Sequence, residues 1–582
     1  METTKDIAWE VASTLRGSVN ERGYSFIAVM AICHAKRAAL AHFSSDIAYN
    51  ENIVMNLIEA VSANDDEGYI SHFVAEVLTS GRYLAEADEA VRRVYGILPD
   101  DPDELADIIL DIELEEDLAS QFMRFEGITP RSVTELAVRA LNIVEGNCVA
   151  DFGTGTGSFL VRASREANCE LVYGCDVDLT SVAIAKMRAE AIGPNATVEQ
   201  ADMFHIDGTF DRCFSNYPFA MKMGGIKEEV LESLKLQGYE GIPHFHSSDW
   251  LFNLQLVARL KEGGKAVGVM TRGSSYNGAD EKIRRHFVAN GWIEAVIALP
   301  AGMFSPYTSI PTTMVILSKG NDAVRLIDAS ELCQKGRRET TFSDGDIVRI
   351  LELLNKDAEG LSKLMTYEEL AGDGFILNPE RHLGETIEVK DGISVEELSL
   401  RITRGSGWAK RQLEELNSNT PTKFRYLMLQ NIIDGEVEDD LPYLTGIKPS
   451  QDKYCVKDGD LLLSKIGPNF KIAVADVPEG EKILATGNLY IISLDRAKVD
   501  PRYVKLYLST DQGVAQLRRA CVGTTMPSIP AKAFSDILIP MASIDEQARI
   551  IDRYEALRQE IAIHKMAIEK ARQKMASLLD EE

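Results

Sequence analysis

The 582-residue sequence predicts an α/β protein in several parts: a helical amino-terminal domain, a doubly wound, Rossmann-like sheet, and a carboxyl-terminal α+β domain ending in one long helix. Three observations predict it. Between Cys148 and Ser318 short apolar runs alternate with amphipathic stretches, as strands of a parallel sheet covered by helices do. One run ends in a glycine-rich turn, Asp151-Phe-Gly-Thr-Gly-Thr-Gly-Ser-Phe-Leu160, where backbone without side chains can approach a ligand. From Ile550 onward apolar residues follow a four-three repeat without Gly or Pro.

Taken in chain order, residues 1 to about 120 have apolar positions at three and four spacing and little alternation, so they read as helices. The strands expected next are Asn147 to Asp151, Glu170 to Asp176, Ala196 to Ala201, Asp211 to Ser215, Lys265 to Thr271, Ile293 to Leu299 and Thr313 to Ser318. Helices are expected over Ser158 to Asn168, Thr180 to Ile192, Asp249 to Lys261 and Asp280 to Asn290. A break near Gly372-Asp-Gly374 runs through a charged stretch to about Glu397; beyond it Asp460 to Ser464 and Leu489 to Ser493 read as strands, and Tyr503 to Ala520 as a helix. The domains expected are therefore 1–124 (helical), 125–390 (sheet), 391–543 (α+β) and 544–582 (terminal helix). Ile550, Tyr554, Leu557, Ile561, Ile568, Ala571, Met575 and Leu578, interrupted only by His564, form a stripe that one helix cannot bury by itself. A second copy of the chain, in a coiled-coil homodimer, is the expected partner.

Composition narrows the function. A hydrophobic fraction of 45% and a charged fraction of 26% are those of a globular protein. No apolar run is long enough to cross a bilayer, and the start, Met1-Glu-Thr-Thr-Lys-Asp6, has no basic segment followed by an apolar one, so a cytoplasmic location is expected. The eight cysteines are scattered without a Cys-x-x-Cys pair or a His at metal spacing, which predicts reduced thiols and no metal site. The net charge of −28 argues against indiscriminate binding to phosphate backbones. Ten of the carboxylates lie between Asp100 and Asp117, however, without a Lys or Arg among them, so basic groups elsewhere can still line a local cleft.

The chemistry is concentrated at the expected carboxyl ends of the strands, where ligands of such sheets bind. The glycines at 153, 155 and 157 make Gly-x-Gly-x-Gly, not the Gly-x-Gly-x-x-Gly of dinucleotide sites. Such a tight loop suits a methionine-derived zwitterion, with Asp151 for its amine; the plain alternative is a packing turn. Asp176-Val-Asp178 ends the next strand, where a carboxylate can accept from ribose hydroxyls, and Asp202 follows the third, within reach of an adenine amino group. Each acid alone fits a solvated strand end, but three on successive strand ends point to a nucleoside-bearing ligand.

Ser215-Asn-Tyr-Pro-Phe219 follows the fourth strand on that edge. An amine conjugated to a base is a poor nucleophile, and a site activates it by accepting hydrogen bonds from its hydrogens. The Asn216 side-chain oxygen and the Tyr217 carbonyl would accept, Pro218 would stiffen the loop, and Phe219 would stack on a base swung out of the duplex. A proline-fixed turn with a core aromatic is the competing explanation.

This order of motifs resembles the gamma-class amino-methyltransferases, and among them the modification subunits of type I restriction-modification systems. That family carries Asp-Pro-x-x-Gly-x-Gly-x-Phe-Leu; Asp151, Gly155, Gly157, Phe159 and Leu160 match it, with Phe152 in place of the proline. Gly127-Ile-Thr129-Pro130-Arg131 resembles its Thr-Pro segment beside the cofactor, and Asp249-Trp-Leu-Phe252, Leu260-Lys-Glu-Gly-Gly264, Ile283-Arg-Arg285, Val296 to Phe304 and Phe375 to Arg381 extend the likeness. The family's loop reads Asn-Pro-Pro-Phe or Tyr, and Tyr217 replaces the first proline; because the carbonyl there accepts the amine hydrogen, the chemistry survives the exchange. The resemblance implies S-adenosylmethionine as cofactor, held by Thr129, Pro130, Asp151, Gly153, Thr154, Gly155, Gly157, Phe159, Asp176 and Asp202, and adenine N6 in double-stranded DNA as the methyl acceptor.

The last third resembles half of a type I specificity subunit, on Phe424 to Gly435, Val456 to Lys465, Met526-Pro-Ser-Ile-Pro530 and Ile537 to Pro540 leading to Glu546-Gln547. It implies one target-recognition domain and one spacer helix, whose homodimer would read two inverted half-sites. Lys465, Lys471, Arg518, Arg519 and Lys532 are candidate phosphate contacts, and Thr524 and Thr525 candidate DNA-facing residues. Without a helicase P-loop or an Asp...Glu-x-Lys cluster, cleavage would need a separate restriction subunit. A non-catalytic DNA-binding or assembly subunit, and a protein or RNA amino-methyltransferase, remain the alternatives.

Overall fold

A computed structural model of the chain describes residues 4–15, 24–43, 52–81, 83–84, 87–114, 129–305, 307–308, 310–336, 340–383, 389–408, 410–433, 435–466, 470–521 and 528–577. The chain divides into two compact units, Met1–Leu383 and Gly384–Glu582. Thr524, Thr525, Met526, Pro527 and Leu578 lie outside the described residues.

In the first unit the amino-terminal stretch is helical as expected: α1 (Thr4–Thr14), α2 (Tyr24–His42), α3 (Ile53–Ser62), α4 (Tyr69–Thr79), α5 (Ala87–Ile97) and α6 (Pro102–Asp111). The start of α6 is specified locally, since the Asp101 carboxylate accepts from the Asp103 and Glu104 backbone N–H groups and Pro102 takes the first-turn position where no N–H is needed. Two apolar faces meet in its core: α2 is buried along nearly its whole length, and Ala183, Ile184 and Met187 from the sheet-covering helix α9 (Leu179–Ile192) join the same cluster. Helix α9 packs on both α4 and α6. The helical region is thus packed on the layer that covers the sheet.

Helix α7 (Arg131–Leu141) leads into a nine-stranded sheet. Its strands are β1 (Cys148–Phe152), β2 (Leu171–Asp176), β3 (Ala196–Gln200), β4 (Phe210–Ser215), β5 (Leu260–Thr271), β6 (Ile293–Ala298), β7 (Thr312–Leu317), β8 (Ala323–Asp328) and β9 (Ser362–Thr366), in the order β9-β8-β6-β7-β5-β4-β1-β2-β3. The pairs from β3 to β5 and the β6/β8 pair are parallel. Strand β7 lies antiparallel to both β5 and β6, and β9 antiparallel to β8.

The sheet is therefore mixed where a parallel one was expected, and it extends two strands past Ser318. The cause is in the connections. β1, β2 and β3 are joined by α8 (Ser158–Glu166) and α9, whereas between β6 and β7 the described residues include no helix to carry the chain back across the sheet. The expected helix Asp249 to Lys261 is also shorter, α11 (Ser248–Ala258), because Leu260 already pairs with Phe210 as the start of β5. Helices α10 (Ile226–Leu236), α12 (Glu281–Ala289) and α13 (Asp344–Leu353) also belong to this unit.

The second unit has a four-stranded antiparallel sheet, in the order Ser399–Arg404, Leu489–Leu494, Leu461–Ser464, Ile472–Val474, and a five-stranded one that includes Phe424–Leu427 and Lys482–Ala485. The single helix expected over Tyr503 to Ala520 is two, α14 (Pro501–Leu508) and α15 (Asp511–Ala520), because the Thr510 hydroxyl caps a new start on the Gly513 N–H. The terminal helix α16 spans Ile544–Ser577. Its first turns are anchored, with Ile551 in the core of this unit and the Gln547 side chain accepting from Asp500 N–H at 2.9 Å. Further along, Leu557, Ile561 and Met566 are exposed. Among the described residues no helix is long and apolar enough to cross a membrane, and all eight cysteines are free thiols.

Candidate functional site

Strand order decides which loops meet. With β4, β1, β2 and β3 adjacent and parallel, their carboxyl ends bring Asn216, the glycine turn, Asp176 and Asp202 to consecutive places on one edge. The glycine turn is built from the backbone outward. Gly153, Gly155 and Gly157 have φ of 78°, 55° and 82°, a region that favours glycine. The Gly153 and Thr154 N–H groups both donate to the Cys175 carbonyl at 2.9 Å, and the Gly155 N–H donates to Asp176 Oδ2 at 2.8 Å. A Cβ on Gly153 or Gly155 would meet nothing within 4 Å, so the turn borders open space, whereas one on Gly157 would press on Ala185 of α9 at 3.3 Å.

Asp151 lies beneath the turn and is buried. Its Oδ2 accepts from the Thr154 hydroxyl at 2.9 Å, and its Oδ1, also buried, has no hydrogen-bond partner among the described residues. Burial pushes its carboxyl up to about 8; the Thr154 hydroxyl pulls down and Asp176 adds to the rise. A buried carboxylate with a spare oxygen is incomplete without a cation or donor. Asp176 accepts from Gly155 and, through Oδ1, from Asp178 N–H at 2.9 Å; Asp202 accepts from Phe204 N–H at 3.0 Å. Between these acids Val177 is 64% exposed, a bare apolar surface beside two carboxylates. An amino group, ribose hydroxyls and a flat base would each find a matching group here, so these residues fit a nucleoside-bearing zwitterion.

Phe159 is placed differently from expectation. Its ring is in the core, stacked on Phe214 at 4.6 Å and 12°, so it supports the turn from beneath. Pro130 stands at the amino-terminal cap position of α7.

The Asn216 loop is tied to the turn through the Ser215 hydroxyl, which donates to the Phe152 carbonyl at 2.6 Å. Asn216 is 8% exposed, and its Nδ2 donates to Thr129 Oγ1 at 3.0 Å. The Tyr217 ring turns into the core. It stacks on Phe252 at 4.6 Å and 6°, and its hydroxyl donates to Asn253 Oδ1 at 3.1 Å, both partners being on α11. Gly268 of β5 makes room: a Cβ there would come within 2.6 Å of Asn253 Oδ1 and 3.3 Å of the Tyr217 ring. Pro218 is exposed, Phe219 is half-buried with its edge to Phe304 at 5.4 Å, and Ala220 turns the chain with φ of 53°.

Three supports escaped the sequence reading, Asn253, Gly268 and Arg188, while Phe252 entered it only as part of the Asp249 to Phe252 likeness. A glycine inside an apolar strand was the visible signal for Gly268, and an arginine in the apolar run of α9 for Arg188. Arg188 is 2% exposed and donates to the Thr156 carbonyl (3.0 Å), Ser158 Oγ (3.1 Å) and the Ile112 carbonyl (2.5 Å). Arg165 of α8 pairs with Asp111 at 2.5 Å, and Arg131 of α7 with Glu113. Three arginines from the sheet-covering helices thus hold Asp111, at the end of α6, and the two residues that follow it, and one of the three also holds the glycine turn.

In the second unit the candidate cations separate. Lys471 Nζ donates to the Leu429 and Ile432 carbonyls at 3.1 and 2.8 Å. Lys532 is paired with Glu396 at 2.8 Å and Asp536 at 3.0 Å. Lys471 is thus held by backbone within the chain, whereas Lys532, with its side chain 72% exposed, keeps its paired ammonium at the surface. Arg518 is exposed at the edge of a cavity of about 600 Å³ that is also lined by Lys471, Lys505 and Tyr554, and Arg519 is half-buried on the same helix. Lys465 is half-buried, and burial together with the Arg404 charge moves its ammonium below the usual lysine value. Two cations facing each other are relieved by an anion.

The fold and this edge define a mixed α/β protein built around a large central sheet with a glycine-rich turn after its first strand. The same fold occurs in the methyltransferase subunit of a type I restriction-modification system from Streptococcus thermophilus, with a TM-score of 0.53 at 20% identity, over 66% of this chain and 99% of that one. The N-6 DNA Methylase family matches residues 119–391, and the type I restriction modification DNA specificity domain matches residues 412–573. Regions similar to an N-6 DNA methylase and to a type I specificity domain thus follow one another in this chain. It is 26% identical over 315 residues to the type I restriction enzyme MjaIX methylase subunit of Methanocaldococcus jannaschii, covering 49% of this chain and 55% of that protein. It is likewise 26% identical over 317 residues to the HindI methylase subunit of Haemophilus influenzae, covering 49% of this chain and 70% of that protein. The match thus spans about half the length of the first of these relatives.

Proposed function

We propose that this chain is a site-specific DNA methyltransferase that transfers a methyl group from S-adenosylmethionine to adenine N6, with its carboxyl-terminal unit choosing the site. The observation that carries this reading is the Ser215–Phe152 hydrogen bond, which fastens the Asn216 loop to the glycine turn at the ends of neighbouring strands. Acceptors for an amine and a cradle for a nucleoside then lie side by side. The cofactor, when bound, supplies a methyl group made electrophilic by its sulfonium.

The chain's own groups do the rest. Asp151 holds the cofactor's amino group, Asp176 its ribose and Asp202 its adenine amine, with Val177 against the base and Thr129 and Pro130 flanking. Asn216 Oδ1 and the Tyr217 carbonyl accept from the target amine and bring its lone pair out of conjugation. Phe219 stacks on the extruded adenine. No strong base is required, because the target nitrogen loses a proton after it has become cationic.

The finer architecture follows the same reading: a helical domain to residue 124, a Rossmann-like methyltransferase domain to 390, a target-recognition domain to 543 and a coiled-coil helix from 544. The exposed Leu557 and Ile561, neighbours in the four-three repeat of α16, support pairing with a second copy. Lys465 beside Arg404, and Arg518, are the preferred phosphate contacts. The match to a specificity domain favours DNA over a protein or RNA acceptor, and a restriction subunit would be a separate chain.

Modified-base sequencing of DNA from cells expressing the chain tests this. N6-methyladenine is expected at one interrupted palindrome and should vanish with Asn216→Ala. Unmodified DNA with wild-type protein would reject the enzymatic reading and favour a DNA-binding assembly subunit. Methylation at a short asymmetric motif would reject the dimer.

A further inference from the structure

We propose that Thr129 is a positioning residue for methyl transfer: its hydroxyl tethers the Asn216 carboxamide so that the oxygen is presented to the target amine. The inference rests on the reading of the Asn216 loop as the transfer site. It assigns Thr129 a task other than cofactor binding.

A primary carboxamide has two ends of almost equal size and opposite hydrogen-bonding character. Sterics alone do not choose between them. With the nitrogen facing the substrate, two NH2 groups would oppose each other and the amine lone pair would stay in the ring. With the oxygen facing it, the amine is activated. The choice must be made by whatever holds the other end.

Thr129 holds it here. Asn216 Nδ2 donates to Thr129 Oγ1 at 3.0 Å across 87 residues of sequence. Both residues are fixed by independent elements: Asn216 follows β4, with its neighbour Ser215 bonded to β1, and Thr129 precedes Pro130 at the start of α7. Because oxygen and nitrogen branch from one planar carbon, a nitrogen held on Thr129 leaves Oδ1 directed elsewhere. A hydroxyl can pair with either end of an amide, and the pairing found here is the one that spares the oxygen. The site is also buried, with Asn216 8% exposed, so water is a poor substitute for the tether.

The test compares Thr129→Val, which keeps the shape and removes the hydroxyl, with Thr129→Ser, which keeps the hydroxyl. Wild type and Asn216→Ala serve as references. Steady-state methylation of duplex DNA carrying the host motif gives kcat and the cofactor KM, calorimetry gives the Kd for S-adenosylhomocysteine, and Tm reports folding. Thr129→Val is expected to lose ~10–100-fold in kcat, the scale of a misplaced reacting group, over and above any change in cofactor KM and Kd and with Tm unchanged; Thr129→Ser should restore kcat. Weakened Kd at full kcat would overturn the proposal and make Thr129 a cofactor ligand only. Unchanged kinetics would also overturn it, and so would loss of folded protein in both Thr129→Val and Thr129→Ala, which would mark a structural residue. A wild-type chain that transfers no methyl group sinks the function itself, whereas one that transfers but is indifferent to Thr129→Val sinks this inference alone.

Discussion

The turn-and-loop edge of the first unit and the cationic surface of the second use polar side chains in opposite ways. On the sheet edge, Ser215, Asp176 and Arg188 spend hydrogen bonds on neighbouring backbone, and the spending builds a concave site with Asp151 Oδ1 left over. In the second unit Lys471 spends its hydrogen bonds on two backbone carbonyls as well, but there the spending ties up the charge that a phosphate would meet. An anchored group can be functional when the backbone shape it holds does the binding; an anchored cation that was itself meant to bind is lost to that role.

Breaking the first kind of anchor should have the largest effect. Arg188→Met removes three donated hydrogen bonds in a buried place, and is expected to cost about 3 kcal/mol of stability and to weaken cofactor binding, measured by denaturant titration and calorimetry. Lys471→Ala should cost about 2 kcal/mol, because two buried-side carbonyls lose their donor, while leaving the salt dependence of DNA binding unchanged. If that dependence falls instead, Lys471 reaches phosphate and the contrast fails.

A pH series sharpens the comparison. Asp151 keeps its proton in the folded chain up to about pH 8, against an ordinary 3.8. Its contribution to folding is therefore full below the ordinary carboxylate value and is lost as pH rises towards 8. Holding a cationic amine requires the ionised form, so cofactor affinity should rise with pH, approaching tenfold per unit below 8 and levelling above it. Asp151→Asn should bind weakly with no such slope.

Tyr217→Phe loses one buried hydrogen bond to Asn253 and should cost about 1 kcal/mol with transfer retained, as followed by thermal melting and methylation assay. Arg518→Ala should leave stability alone and lower the slope of log K against log salt by about 1. A Tm change in that variant would place Arg518 among the internal anchors.

Local backbone chemistry made most of the edge legible in advance. Gly153, Gly155, Asp176 and Asn216 can be placed because each lies at, or within a few residues of, the end of its own strand. The orientation of β7 was missed, although Leu299 to Pro311 contains Gly302 and Pro311 and no helical period. A connection without a crossover helix is the physical mark of an antiparallel return. The direction of the Tyr217 ring was not legible, since it depends on Phe252, Asn253 and the missing side chain at Gly268, which come from elements far along the chain. Lys471 shows the same limit: its acceptors are carbonyls of Leu429 and Ile432, and no side-chain pattern announces them.

The burial of Tyr217 also sets how the transfer loop responds to heat. A proline restricts its backbone by ring geometry, at any temperature and even in an unfolded peptide. Tyrosine adds to the restraint of the following Pro218 only through the side chains it touches, so the corner should lose that part of its stiffness as α11 begins to breathe, and turnover should fade on warming before the sheet itself melts.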